Sequence, residues 1–283
     1  VLADVLALVL LQLAVGVAFF TLLTPSRDLS GGFFALHGGI AATCLSLAWL
    51  VSGNVGILLR RGSGQGAAAG GGAAGFLLLF AIATAVAATL VARMNASPAL
   101  LLSKQFFFFL SVFSSLTLLI SRTGVEPFAS RPALGSGWLA AGLVLGALLF
   151  GGVIWAMNLG HWYLVSKSLP FGLLVRATEA LAVLVLARTV LALVALGWLA
   201  RTSHGPAGEA LVDLVDPMRD GFFFGSRVLW GLAAPLALAP FVVKTARMKS
   251  NQAATGLLYV GVVFVLVGEL LAAYLTLRSG LPV

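Results

Sequence analysis

The chain has 283 residues, of which 60% are hydrophobic and 9% charged, with a mean hydropathy of +1.09 and a formal charge of +8. A soluble fold of this size has too little interior to hide so much apolar surface, which excludes an ordinary water-soluble globule. The positive charge falls mostly in short loops and at helix ends, where lipid headgroups and topology account for it, so it does not imply a nucleic-acid partner.

In chain order, the apolar runs predict an all-α polytopic membrane protein with about eight transmembrane helices and short loops, forming a single helical-bundle domain over 1–283. The spans lie near 3–23, 31–59, 70–94, 97–120, 137–158, 172–199, 219–243 and 253–277. Runs such as Leu181 to Leu186 and Leu145 to Phe150 do not alternate in polarity, as the strands of a membrane β-barrel must. The first span lacks a basic leader and is too long for a signal peptide, so it reads as a true helix. Cys44, the only cysteine, excludes an internal disulfide, a multi-cysteine zinc site and an iron–sulfur cluster held by this chain alone.

Several features predict packing. Gly62 to Gly75 reads as a flexible turn running into the third span. Gly142 and Gly146 form a small-xxx-small pair, followed by Gly151 and Gly152, where another helix approaches closely. In the longest polar insert, Ala200 to Gly221, the stretch from Gly208 to Asp216 separates apolar from acidic residues as a helix lying on the membrane surface would, with a partner protein as a counterpart for its acidic face; the alternative is a solvated loop. Pro235 and Pro240 are expected to bend the seventh span and free local carbonyls.

Charged side chains inside a span are costly and usually face protein or a water-filled cavity. Arg188, Arg227 and Glu269 lie on three consecutive spans, each about 16 residues from the same membrane face, or roughly 24 Å along a helix. Equal depth predicts that they converge. Two readings are open: an ion pair that fixes helix register, and a polar pocket for an anionic or carbonyl-bearing ligand such as a quinone, with Glu269 able to carry protons.

A second polar layer comprises His37, Lys104 and Glu179, with His161 and Tyr259 close to its depth. Arg176 and Glu179 are spaced to pair on one helix face, whereas Glu179 and Arg188 point to opposite sides of their helix. Gly38 and Gly39 follow His37 and leave room for a porphyrin edge, so one b-type haem between His37 and His161 is a further expectation. The third histidine, His204, lies in the opposite loop, which excludes a second bis-histidine haem. There is no P-loop, no His-Glu-x-x-His, no Gly-x-Ser-x-Gly and no carboxylate cluster for a divalent metal.

In helix count, short loops and an intramembrane Arg/Glu layer, the chain resembles the eight-helix quinone-reactive membrane subunits of respiratory molybdoenzyme-type complexes. The expected function is therefore an integral membrane subunit of an electron-transfer complex that interacts with quinone and conducts protons. As a subunit of a larger oxidoreductase it would be quinone-reactive or non-catalytic, with lipid and with membrane and peripheral subunits as partners. The alternatives are a secondary transporter with an Arg/Glu substrate site and a structural anchor for other subunits. Composition points to a bacterial inner membrane. The basic cluster Lys244, Arg247 and Lys249, on the face that also carries Arg27, Arg93 and Lys167, marks the cytoplasmic side and leaves both termini outside.

Overall fold

A computed structural model describes residues 2–25, 29–52, 67–94, 98–122, 136–166, 169, 172–201 and 206–282. Arg27, Lys167, His204 and the start of the glycine-rich turn lie outside them. The described residues are helical, without strands. Eight helices are long and apolar enough to cross a bilayer, which suits a polytopic membrane protein.

The helices are α1 (Leu2–Leu23), α2 (Gly31–Ser52), α3 (Ala67–Arg93), α4 (Pro98–Ser121), α5 (Ser136–Val165), α6 (Gly172–Arg201), α7 (Pro206–Val215), α8 (Gly221–Ser226), α9 (Ala234–Arg247) and α10 (Asn251–Ser279). A π-helical turn, Arg227–Ala233, joins α8 to α9, so the seventh span, Gly221–Arg247, is one continuous but irregular rod. Of the predicted second span, α2 covers the part up to Ser52, and 53–59 lie outside the described residues; the fifth runs on to Val165, which places His161 on a helix.

The apolar core threads α1 to α6, α9 and α10, with Leu8, Leu11, Phe33, Phe34, Leu78 and Phe108 fully enclosed. α1 holds the layers together, packing on α2, α4, α5 and α10. Lipid tails give helices little hydrophobic reason to associate, so close backbone approach matters. The α1–α5 crossing is made by glycine on both sides. A Cβ at Gly16 would stand 2.8 Å from the Cα of Gly151, and one at Gly151 would strike the Gly16 backbone in return. The close approach predicted on α5 thus falls at Gly151, and Gly142 and Gly146 have another use.

The amphipathic segment near 208–216 is the helix α7, and it does not stand alone. Leu214 is buried with Leu199, Leu275 and Leu281, while Val212 and Val215 remain exposed. Asp213 and Asp216 are engaged locally, because Arg219 pairs with both. At the far end of α10, Gly280 adopts a left-handed conformation (φ 72°), which glycine tolerates without Cβ strain, and its N–H donates to Thr276 O at 2.9 Å. This turn folds Leu281 and Pro282 back over the bundle, where both are buried.

Candidate functional site

The three intramembrane charges meet. Arg188 donates from Nε to Glu269 Oε1 at 3.2 Å and from Nη2 to Oε2 at 3.3 Å, a two-pronged grip from α6 on α10. Arg227 donates from Nη2 to the same Oε1 at 3.3 Å. All three side chains are sealed, with exposures of 2%, 1% and 1% for Arg188, Arg227 and Glu269. Charges this deep persist only when paired and hydrogen-bonded, and the carboxylate here answers two guanidiniums at once.

Arg227 is positioned by an irregularity in its own helix. Pro235 has no N–H to give to the carbonyl four residues before it, that of Gly231. The π turn accompanies this break, and the N–H of Ala234 reaches back five residues to Leu229 O. The orphaned Gly231 oxygen instead accepts from Arg227 Nη1 at 3.0 Å. Proline and π turn therefore create an acceptor that aims one side of the guanidinium while Glu269 takes the other. Arg227 Nε is left buried without a hydrogen-bond partner among the described residues.

Glycines make room for this network. A Cβ at Gly268 would lie 2.7 Å from Arg227 Nη1, and one at Gly231 would lie 2.6 Å from the Gly268 Cα, so these two glycines let the π turn and α10 touch backbone to backbone. On α5, a Cβ at Gly146 would collide with Glu269 Oε2 and stand 2.7 Å from Gln12 Nε2. One at Gly142 would meet the Pro282 ring at 2.6 Å. The small pair on α5 thus accommodates side chains of the site rather than a neighbouring helix.

Gln12 of α1 is the residue that sequence reasoning missed. It is 2% exposed, and its Nε2 donates to Leu143 O at 3.1 Å, which fixes the amide orientation. Its Oε1 then has no partner among the described residues. A cavity of about 10 Å³ lies among Gln12, Arg188, Glu269, Thr276 and Pro282, enough for one water and no more. The available signal was a lone amide in an otherwise apolar run.

Below the charges, toward α9, a second cavity of about 40 Å³ is lined by Val185, Pro235, Leu238, Val242, Gly261 and Val265, among others, and exposes no polar surface. Val185 is one turn from Arg188 and Val265 one turn from Glu269, so an apolar space adjoins the ionic one along the same helices.

The second predicted layer does not assemble into one site. Glu179 accepts from Arg247 Nε and Nη2 at 3.1 and 2.6 Å, tying α6 to α9, so the partner expected in Arg176 is replaced by one on another helix. Lys104 is buried on α4 with Nζ 3.6 Å from the centre of the Phe34 ring, a cation–π contact with α2. Tyr259 is 48% exposed. His37 is fully buried, its Nδ1–H donating to Phe33 O at 2.7 Å and its Nε2 accepting from Asn158 Nδ2 at 3.3 Å. His161 lies exposed on the last turns of α5. A haem iron between these histidines does not fit that arrangement, because both His37 nitrogens are already engaged. Among the described residues, no three His, Cys, Asp or Glu side chains gather as metal ligands. No protein-family model, curated protein or solved structure matches the chain.

Proposed function

We propose that this chain is an integral membrane subunit of an electron-transfer complex, with the Arg188–Glu269–Arg227 network as the polar end of a quinone-class site. The observation that carries the reading is Arg227 Nε, a buried cationic donor without a partner among the described residues, held in place by Glu269 and the Gly231 carbonyl. A ligand carbonyl supplies the acceptor that such a donor lacks, and a charge-assisted bond of this kind is about twice as strong as a neutral one. The adjoining apolar cavity beside Pro235 and Leu238 gives a hydrophobic tail its path.

In this reading Glu269 is chiefly a counter-ion. It orients two guanidiniums, and protonating it would leave both without their shared counter-charge. Proton delivery instead uses the water-sized space beside Gln12. That space is too small for a ring, so admission of a headgroup requires α6 and the π turn to part. Redox centres belong to partner subunits, and the membrane is a bacterial inner membrane with both termini outside.

A secondary transporter is the second reading, favoured by the π-helical irregularity of the seventh span at Arg227–Ala233, since such turns in a helix are frequent at functional sites. A lipid extract of the purified native assembly separates the two. Co-purifying quinone near one per chain, lost in Arg227→Gln, supports the quinone site. A quinone-free chain that moves solute across vesicles overturns it in favour of transport.

A further inference from the structure

The lipid-facing side of α2 carries a groove remote from the ionic network. Leu36, Gly39, Ile40 and Thr43 recur at the three- and four-residue spacing of one helical stripe, and they line a depression of about 390 Å³ that closes at one end on Arg93. Gly39 makes the depression, because a Cβ there would find nothing within 4 Å, whereas one at its neighbour Gly38 would lie 2.5 Å from Thr89 Oγ1 and 3.3 Å from the Phe108 ring. The two adjacent glycines therefore serve opposite sides of α2.

The polarity of the groove runs along the membrane normal. Gly31 at the start of α2 abuts the Ala92 carbonyl at the end of α3, so Arg93 sits at the interface where one helix enters and the other leaves. From there the stripe descends from Leu36 to Thr43, about 10 Å at 1.5 Å per residue. Arg93 is exposed, and no carboxylate pairs with it among the described residues. A cation at headgroup level above an apolar trough complements a single amphiphile: negative at its head and hydrocarbon below.

We propose that this groove is a binding site for an anionic glycerophospholipid, with the phosphate on Arg93 and one acyl chain lying over Gly39. Charge and depth select the occupant. A zwitterionic lipid gains less from an exposed guanidinium, and a soluble phosphate gains nothing from the trough. This site is independent of the quinone reading.

The test is native mass spectrometry of the full chain titrated with phosphatidylglycerol or phosphatidylcholine of matched acyl chains. The wild type is expected to retain one phosphatidylglycerol about fivefold more tightly than phosphatidylcholine, the increment of one basic residue at an anionic surface. Arg93→Gln should abolish that preference while leaving weak retention of both lipids. Gly39→Leu puts a side chain into the trough, where its Cβ meets nothing within 4 Å, and should reduce retention of both lipids alike. Inorganic phosphate should not compete. Equal retention of the two lipids by the wild type would overturn the proposal, as would variants that hold phosphatidylglycerol as the wild type does, or displacement by phosphate.

Discussion

Arg227 donates to the carbonyl oxygen of Gly231, four residues ahead of it on the same helix, at 3.0 Å. That oxygen is the one Pro235 cannot serve. A proline that reads as a kink in the sequence therefore acts on chemistry one turn away, by supplying an acceptor for a buried guanidinium.

Pro235→Ala should restore a backbone donor to the Gly231 carbonyl and withdraw that acceptor from Arg227. Thermal stability should stay level or rise, since an interior proline costs a helix about 3 kcal/mol. Quinone binding should fall as Arg227 loses its aim. Equal loss of stability and binding would assign Pro235 a packing role alone.

Glu269→Leu should destabilise the bundle by roughly 3–5 kcal/mol, because two buried guanidiniums lose their common partner. Glu269→Gln keeps the shape and an acceptor oxygen, so its loss should be smaller. Thermal denaturation in detergent checks the order. A Leu variant as stable as wild type would mean that the arginines find other partners.

The network was legible in sequence because charges in apolar runs are rare and helical rise converts residue counts into depth. Depth was not enough elsewhere. His37, Lys104 and Glu179 share a level yet bond to Phe33 and Asn158, to Phe34 and to Arg247 respectively, since equal height says nothing about which way each helix turns its face. The use of Gly142 and Gly146 was illegible for a related reason. Each depends on a contact between helices distant in sequence, and a glycine pair looks the same whether it admits a backbone, a carboxylate or a proline ring.

Gly146→Ala should cost about 1–3 kcal/mol, because its Cβ would press on Glu269 and Gln12 with little room to yield. Gly197→Ala, on α6 with open space at its Cβ, is the control and should be neutral or stabilising. Melting temperatures of the two variants, compared with wild type, decide whether the small residues of α5 serve the site.

An ordered water is expected within hydrogen-bonding distance of Gln12 Oε1, in the cavity shared with Arg188 and Glu269. Gln12→Leu should remove it. High-resolution density for the two proteins checks this, and an empty or hydrocarbon-filled cavity in the wild type would count against proton delivery along this side.

Cysteines introduced at Met218 and Ser250, at opposite ends of the seventh span and both exposed, report orientation once buried Cys44 is replaced. A membrane-impermeant maleimide added to intact cells should label position 218 and spare 250. The reverse pattern would invert the topology.

The central claim is that a quinone-class headgroup meets Arg227 and its tail lies beside Pro235. Photolabelling of the native assembly with an azido-quinone, followed by peptide mapping, tests it most directly. The account predicts label on residues between 178 and 188 or between 227 and 242, suppressed by excess unlabelled quinone and by Arg227→Gln. Label confined to α1–α4, or unaffected by that substitution, would contradict it.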